Sequence, residues 1–312
     1  MVLLKGQVNG FQSVYQIGNV RIGGNDSQIP SVLIGSIFYM RHKIVKNDQT
    51  GEFDELEAAK LIHNCVNLSG KLGIGFMLDV VGTTHKALIN YVKFIKKITD
   101  APVLINSTLP ETRIAAVKEL AEVGMLDNIV YNSINTFSTE EEIKVLAKLP
   151  VEAAVVQAYN PKSKKPDGPL KALLGNDKME GLLAVVSKCG IDKIMVDIPT
   201  LDMSSVGLIG HSVKIIKEKL DVPVGTAPSN ATYTSAWLKD RSNVSIEQFR
   251  AVDATVNAYL VAKGCNFLFF GPIEGANWVF PACAMVDAVN VYGSRYLGVS
   301  PDTESHPMFV VL

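Results

Sequence analysis

Short apolar runs alternate along this chain with longer segments in which apolar residues recur every three or four positions. Four of the short runs end on a small amide or acid, or lead to one: 103–106, 129–132, 193–197, and 222–225 followed by Ser229-Asn230. A short apolar run bounded by turn residues is typical of a strand buried in a parallel sheet, and the longer spacing is typical of an amphipathic helix. The pattern therefore predicts alternating strands and helices.

Eight strands and the helices between them can be counted in this pattern. The predicted strands are 31–40, 74–81, 103–106, 129–132, 151–157, 193–197, 222–225 and 266–270. The predicted helices are 54–72, 83–98, one from Pro110, one after Ser138, one ending at 189, 204–220, 232–239, 246–263 and 276–296. Eight strands favour closure, so the predicted fold is α/β, a single (β/α)8 TIM barrel spanning 1–312 as one domain. The alternative, an open doubly wound sheet, lacks its Gly-x-Gly-x-x-Gly signature at every strand–helix junction.

Local signals predict how the chain begins and how two helices start. Residues 12–24 alternate between apolar and polar positions around Gly18-Asn19, which predicts a β-hairpin within an N-terminal extension over 1–30. Such a hairpin could close the N-terminal floor of the barrel. Pro110 suits the first position of a helix, and Ser138 with Glu141 three residues later predicts a capping box.

Composition and charge narrow the class of protein. The 312 residues are 47% hydrophobic with a formal net charge of -1, so nothing indicates nucleic-acid binding. The four cysteines have no paired spacing and are expected to be buried thiols in a reducing compartment. The sequence has no signal-peptide pattern, and its longest apolar runs are too short to span a bilayer. We expect a cytoplasmic protein that does not bind membranes.

The polar residues at the strand ends are the candidate functional groups. In a TIM barrel the C-terminal ends of the strands face the active site. Asn106, Asn132, Asp197 and Asn230 are therefore expected around one mouth. Amides and an acid suit a planar heterocycle with several hydrogen-bonding edges, and do not suit a metal. Structural roles are the alternative, because Asp197 could cap a helix or form a salt bridge and amides are common where strands turn into loops.

Asp197 and Asn230 carry the most specific expectations. A carboxylate can accept two parallel N–H bonds from the edge of a 2-amino-4-oxopyrimidine. A neutral amide such as that of Asn230 can bond a reacting nitrogen whether or not that atom is protonated. Asp79 and Glu274, at the ends of the second and eighth strands, could bond a ring donor as well.

Other reaction classes fit the sequence less well. No lysine stands at a strand end, as a Schiff-base aldolase needs, and the five histidines lack metal-binding spacing. There is no Gly-x-Ser-x-Gly elbow and no phosphate-binding loop. Asp79 and Asp197 could be the paired carboxylates of a glycosidase, but the surrounding amides would then be unexplained. No metal site is expected.

Several motifs resemble those of a known family. The segments 104–108, 131–135, 196–199 and 225–230 resemble the pterin-binding barrels of corrinoid-linked methyltransferases. The segments 35–45, 131–135 and 270–274 are more closely similar to the H-subunit family of tetrahydromethanopterin S-methyltransferase. The resemblance covers nearly the whole chain, and the motifs are specific in combination.

This resemblance implies a reaction and its partners. The chain resembles bacterial members that transfer a methyl group from methylcobalamin on a partner corrinoid protein to tetrahydrofolate, giving methyl-tetrahydrofolate and cob(I)alamin. These members act in the demethylation of glycine betaine or a methylamine. A tetrahydromethanopterin-dependent methyltransferase subunit and a non-catalytic pterin-binding subunit are the alternatives. The corrinoid must come from a partner because the Asp-x-His-x-x-Gly cobalamin motif is missing. A dihydropteroate synthase would need a phosphate-binding Arg or Lys cluster that is not visible, and a homodimer is expected.

The resemblance also implies roles for individual residues. Asp197 would hold the pyrimidine edge, Asn230 would lie by the nitrogen that gains or loses the methyl group, and Asn106 would complete the catalytic set. The expected pterin-binding residues are Asp79, Asn106, Asn132, Asn135, Asp197, Gly225, Ser229, Asn230 and Glu274. Relatives commonly carry Asp where this chain has Asn106, which removes a negative charge near the ring.

Overall fold

Eight parallel strands close into a barrel in the computed structural model, which describes residues 13–25 and 27–312. In chain order the strands are β1 Val14–Ile17, β2 Val20–Gly23, β3 Val32–Ile37, β4 Val45–Asn47, β5 Glu52–Phe53, β6 Gly75–Val81, β7 Val103–Asn106, β8 Ile129–Ile134, β9 Ala153–Gln157, β10 Gly175–Asn176, β11 Met179–Glu180, β12 Lys193–Ile198, β13 Val224–Thr226 and β14 Phe267–Pro272. The barrel runs β3-β6-β7-β8-β9-β12-β13-β14 and closes back on β3, while β1-β2, β4-β5 and β10-β11 form two-stranded antiparallel pairs. The predicted TIM barrel is confirmed.

Helices follow the barrel strands and cover their outer surface. They are α1 Glu55–Leu72, α2 His85–Ile98, α3 Pro110–Glu122, α4 Glu140–Leu146, α5 Gly168–Leu174, α6 Leu182–Lys188, α7 Met203–Lys219, α8 Ser229–Thr232, α9 Ala236–Lys239, α10 Ile246–Ala262, α11 Ala276–Ser294 and α12 Pro307–Val311. Among residues 13–25 and 27–312, no helix combines the length and the hydropathy needed to cross a bilayer.

The barrel strands bury both of their faces. Alternate residues such as Ile34, Met77 and Met195 fill the interior of the barrel. Their neighbours along the strands, such as Leu33 and Leu78, pack outward against the helices. Burial on both faces explains why these strands appear in the sequence as continuous apolar runs.

The predicted N-terminal hairpin is present as β1 and β2 and packs against the floor of the barrel. Its residues Ile17, Val20 and Ile22 belong to the same apolar cluster as the side chains inside the barrel. The Nδ2 atom of Asn266 donates hydrogen bonds to the carbonyl oxygens of Gly23 and Gly24, at 3.0 Å each. The hairpin therefore closes the N-terminal end, and the opposite end is left for a site.

The capping box predicted at Ser138 and Glu141 is wrong by one residue. The hydroxyl of Thr139 accepts the backbone N–H of Glu142 at 3.1 Å, and Glu142 accepts the backbone N–H of Thr139 at 3.3 Å. The Glu142 side chain is fully buried and its carboxylate lies 2.7 Å from the guanidinium of Arg113. The ion pair with Arg113 favours Glu142 over Glu141 as the acid of the capping box. A local sequence pattern cannot reveal this preference, because Arg113 lies in another helix.

Two predicted helices are interrupted. In the predicted helix 232–239, α8 ends at Thr232 and α9 begins at Ala236, because the Ser235 hydroxyl accepts the N–H of Leu238 at 3.4 Å and starts a new helix there. The helix ending near 189 is divided into α5 and α6 by the β10-β11 hairpin. Gly175 begins this hairpin at a φ of +72°, where a Cβ would lie 2.3 Å from the nitrogen of Gly181.

The four cysteines are free and buried, as predicted.

Candidate functional site

The register of the barrel brings polar side chains into neighbouring pairs at the C-terminal end. Ser36 lies opposite Asp79, and Asn106 lies opposite Asn132. Farther around the barrel, Gln157 on β9 lies opposite Asp197 on β12. Each residue lies at or near the C-terminal end of an apolar strand, so the strand ends predicted from the sequence meet around one mouth.

The Asp79 carboxylate organises one side of this mouth. Oδ1 accepts hydrogen bonds from the side-chain amides of Asn106 at 2.9 Å and Asn132 at 3.0 Å. Oδ2 accepts the hydroxyl of Ser36 at 2.8 Å and a second contact from Asn106 at 3.2 Å. Burial raises the pKa of Asp79, and these three donors act against that rise by stabilising the anion. Asp79 is thus a brace whose acceptor positions are already occupied.

The brace decides what Asn106 and Asn132 can offer to a ligand. Their NH2 groups face the carboxylate of Asp79, because only the nitrogen of an amide can donate. Their amide oxygens are left as acceptors, and both side chains remain partly exposed at the mouth. This side of the mouth is therefore built to accept hydrogen bonds from a ligand.

Asp197 lies across the mouth and has one oxygen without a partner. Its Oδ2 atom accepts the amide of Gln157 at 3.4 Å, while Oδ1 is buried and has no hydrogen-bond partner in the described part of the chain. Burial raises the pKa of Asp197 to about 7. The hydrogen bond from Gln157 acts against this rise, and the negative charge of Asp79 adds to it. An acceptor left bare in this way is suited to a donor that a ligand brings.

The two structural alternatives for Asp197 are excluded by the geometry. The next helix, α7, is capped by Asp202, whose side chain accepts the backbone N–H of Ser205 at 2.8 Å. Asp197 forms no salt bridge with any residue in 13–25 or 27–312. Its position at the mouth therefore has no structural explanation of this kind.

The short helix α8 places Asn230 at the rim. The hydroxyl of Ser229 donates to the carbonyl of Phe269 at 3.2 Å, which ties α8 to β14. The buried carboxylate of Asp253 accepts the Thr232 hydroxyl at 2.5 Å and the indole N–H of Trp278 at 2.8 Å. The side chain of Asn230 is exposed and makes no hydrogen bond within the described residues. The helix is anchored at both ends while its amide is available.

Two of the residues predicted to contact the ligand, Gly225 and Asn135, also have structural contacts in the fold. At Gly225 a Cβ atom would lie 2.2 Å from the carbonyl oxygen of Phe267, so this glycine allows β13 and β14 to approach. Asn135 accepts the backbone N–H of Phe137 at 2.8 Å and donates to the hydroxyl of Ser133 at 3.4 Å. Asn135 thus stabilises the loop after β8, while Gly225 on β13 lies opposite Asp197 on β12.

Glu274 belongs to a separate cluster on the rim, next to β3. Its Oε1 atom lies 3.1 Å from Nε2 of His42, and both carboxylate oxygens lie 3.5 Å from the hydroxyl of Tyr39. The rings of Tyr39 and His42 stack with centroids 4.3 Å apart. Sequence reasoning assigned this acid to the mouth but did not identify the two residues that hold it.

Ser36 and Gln157 were not singled out from the sequence. Each stands at or near the end of an apolar run, as Asn106 and Asp197 do. Because polar residues at strand ends are common, only the pairing register shows that these two side chains bond the two acids. Among the described residues, no group of three His, Cys, Asp or Glu side chains could hold a metal ion.

Asn106→Asp is expected to make the stability of the protein depend on pH. The substitution would place a second carboxylate beside Asp79, about 3 Å away, and like charges raise the pKa of such a pair. A carboxyl whose pKa is raised on folding contributes stability at low pH that is lost as the pH rises. The melting temperature, compared with that of the unsubstituted protein, should therefore fall from pH 5 to pH 8.

Asn135→Asp is the matched control for this experiment, because Asn135 does not contact Asp79. Thermal unfolding of both variants across this pH range separates the carboxylate pair from a general effect of added charge. Equal pH profiles for the two variants would contradict the close contact between residue 106 and the carboxylate of Asp79.

Comparisons with known proteins identify relatives that match nearly the whole chain. A family model described as tetrahydromethanopterin S-methyltransferase MtrH subunit matches residues 11–302. The H subunit of that enzyme from Methanopyrus kandleri is 34% identical over 96% of this chain and 97% of its own length. The H subunit from Methanosarcina acetivorans is also 34% identical, over 95% of this chain and 96% of its own length.

Solved structures with a similar fold are dihydropteroate synthases. The enzyme from Yersinia pestis, bound to a pterine–sulfa conjugate, superposes with a TM-score of 0.58 at 12% identity and covers 89% of this chain and 99% of that one. The Coxiella burnetii enzyme with pteroic acid gives 0.54 at 13% identity, over 83% of this chain and 94% of that one. Identities this low show a shared barrel fold alone.

Proposed function

The chain belongs to the MtrH family, the H subunits of tetrahydromethanopterin S-methyltransferase, and on this premise we propose that it transfers a methyl group between a corrinoid and a ring nitrogen of a tetrahydropterin. The corrinoid would be carried by a partner protein. Residues 1–312 would act as one pterin-binding domain, in which the mouth of the barrel holds the flat ring.

The observation that carries this proposal is the buried Oδ1 atom of Asp197, which has no partner in the described residues. The pyrimidine edge of a pterin presents a ring N–H and an amino N–H side by side, and a carboxylate accepts such a pair in parallel. Across the mouth, the amide oxygens of Asn106 and Asn132 would accept the remaining ring donors. A ligand held at both edges can sit in only one orientation.

In the proposed reaction the chain binds and orients the pterin and excludes water. The methyl group arrives on the corrinoid, and the ring nitrogen attacks it in line. Asn230 would lie at the reacting nitrogen and bond it both before and after the transfer, since an amide can donate or accept. Fixing the distance and angle of attack is a large part of the rate enhancement in such reactions.

The identity of the tetrahydropterin is the finer part of the proposal. The curated relatives are named for tetrahydromethanopterin, which favours that substrate or a close analogue. The sequence prediction of tetrahydrofolate and of glycine betaine or methylamine demethylation finds no support in these relatives. Because the proposed contacts around the mouth would be to the ring alone, tetrahydrofolate is the second substrate to test.

Exposed apolar side chains on the rim support docking of a corrinoid protein. Met40 and Phe137, in the loops that follow β3 and β8, are each 70% exposed, and Trp237 in α9 is 60% exposed. Exposed apolar residues beside a binding site can mark the surface that a partner protein covers. Whether the partner is a separate protein or a further subunit, and whether the chain is a homodimer, stay predictions.

The test is a methyl-transfer assay with the purified chain, free methylcobalamin and each pterin in turn. We expect cob(I)alamin and the N-methylated pterin to form together, at a higher rate with the preferred pterin. Pterin binding without transfer, even when a methylated corrinoid protein replaces free methylcobalamin, would identify a non-catalytic pterin-binding subunit. Absence of binding to both pterins would reject the proposal.

A further inference from the structure

Methyl transfer to a ring N–H leaves a proton that must be removed, and this inference rests on the proposed function. The lone pair of the nitrogen forms the new N–C bond, and the electron pair of the broken Co–C bond stays on cobalt. The nitrogen then carries both the methyl group and its hydrogen, so its N–H bond must break to give a neutral product. We propose that the carboxylate of Glu274 accepts this proton and that His42 positions it.

The other two acids of the mouth are committed elsewhere. Both oxygens of Asp79 already accept hydrogen bonds from Ser36, Asn106 and Asn132. Asp197 would hold the pyrimidine edge, which is the side of the ring away from the reacting nitrogen. Glu274 has a side chain 44% exposed, so it can meet a ligand that enters from solvent.

The packing of β14 against α8 places Glu274 on the same side of the mouth as Asn230. Gly271, at a φ of +91°, comes so close to α8 that a Cβ there would lie 2.5 Å from Cβ of Ser229. Glu274 follows Gly271 by three residues, and Asn230 follows Ser229 directly. Tyr233, one turn beyond Asn230, lies near enough to Glu274 for the carboxylate to help raise its pKa.

His42 holds Glu274 in one orientation. The backbone N–H of Phe38 donates to Nδ1 of His42 at 3.0 Å, so the ring carries its hydrogen on Nε2 and donates to Oε1 of Glu274 at 3.1 Å. The His42 side chain is only 1% exposed and its ring is stacked on that of Tyr39. Oε1 is thus anchored by His42, while Oε2 lies 3.5 Å from the hydroxyl of Tyr39 and can face the ligand.

The loop that carries His42 has a strained backbone. Phe38 has a φ of +61°, in the left-handed region that a bulky residue rarely adopts. This backbone conformation directs the Phe38 N–H to the imidazole of His42. The resulting hydrogen bond fixes the tautomer of His42.

The charge state of Glu274 suits a proton acceptor. Burial raises the pKa of Glu274, but hydrogen bonds from His42, the backbone and Tyr39 outweigh burial and leave the pKa below its usual range. The group is therefore an anion at neutral pH. An N-methylated nitrogen conjugated to the pterin ring is itself acidic, so even a weakly basic carboxylate can take its proton.

The experiment measures turnover and pterin affinity of Glu274→Gln and of Glu274→Ala with and without formate. Glu274→Gln should slow methyl transfer about 100-fold, as expected for loss of a general base, with pterin affinity within about threefold of the unsubstituted protein. Formate should restore part of the rate of Glu274→Ala. Glu140→Gln is the control, since Glu140 lies at the start of α4 with a side chain 90% exposed and pairs with Lys144.

Three outcomes would overturn the assignment. Turnover of Glu274→Gln within threefold of the unsubstituted protein would show that no proton passes through this carboxylate. A parallel loss of pterin affinity would make Glu274 a binding residue, and failure of formate would remove the evidence for a base. If the unsubstituted protein itself transfers no methyl group, the proposed function fails first and this assignment fails with it.

Discussion

Asp197→Asn is expected to weaken pterin binding on the order of 100- to 1,000-fold. A carboxylate in two charge-assisted hydrogen bonds contributes about 1.5–3 kcal/mol through each. The substituted amide would present one acceptor and one donor to a ligand edge that carries two donors, so one bond is lost and one contact becomes unfavourable. Isothermal titration with tetrahydromethanopterin or tetrahydrofolate measures the change.

The same substitution should make the protein more stable above pH 7. The pKa of Asp197 is about 7 in the folded protein and 3.8 in the reference state. Well below pH 4, the carboxyl is neutral in both states. As the pH rises through 7, burial of the charge lowers the free energy of unfolding by roughly 2–4 kcal/mol. An amide has no charge to bury, so the gain in melting temperature should appear at pH 8 and disappear well below pH 4.

Asp287→Asn is the matched control for the effect on pterin binding. Asp287 is another buried acid, but it accepts the backbone N–H and the hydroxyl of Ser31, at 2.9 and 2.7 Å, at the opposite end of the barrel. Its substitution should lower stability through lost hydrogen bonds and leave pterin affinity unchanged. Retention of affinity by Asp197→Asn, or a lower melting temperature at pH 8, would contradict the role assigned to Asp197.

The barrel could be predicted from the sequence because each strand is buried on both faces. An apolar run such as that ending at Asn106 must stop where the chain reaches solvent, so the first polar residue marks the mouth. The positions of Asp79, Asn132 and Asp197 follow from the same reasoning. For these residues, the place where an apolar run ends in the sequence is enough to predict a position at the mouth of the barrel.

The motif Tyr131-Asn132-Ser133-Ile134-Asn135 shows where that reasoning stops. Asn132 points into the mouth and bonds Asp79, whereas Asn135 bonds its own loop. Tyr131 points outward and bonds Arg113 and Glu142. The pairing of β8 with β9 shifts by one residue between Asn132 and Ile134, so alternation along the motif does not tell which amide reaches the site. Side-chain direction here depends on pairing, which a single sequence does not contain.

The same limit explains the residues that were missed. Ser36 and Gln157 matter because of the acids across from them, and His42 matters because of Glu274. All three contacts join residues at least 40 positions apart. Local patterns predict that a polar residue ends a strand, but the bonding partner depends on the closed barrel.

Asn230→Ala is expected to lower the rate of methyl transfer on the order of 1,000-fold, with little change in pterin affinity. Its side chain makes no hydrogen bond within the described residues, so its removal should leave α8 intact. Removing one donor that acts on developing charge typically costs 100- to 1,000-fold in rate. The ring would still be held by Asp197 and the brace around Asp79, which explains why binding should persist.

Single-turnover kinetics with methylcobalamin and equilibrium titration with the pterin separate the two effects. Asn243→Ala is the control, since Asn243 is an exposed amide that bonds Asp240 in the loop after α9. Asn230→Asp adds a second comparison, because the anion can only accept. It should bind the protonated nitrogen and fail to donate to the free lone pair, so the rate deficit should differ between the two directions of transfer. Equal deficits in both directions would indicate that Asn230 acts by shape alone.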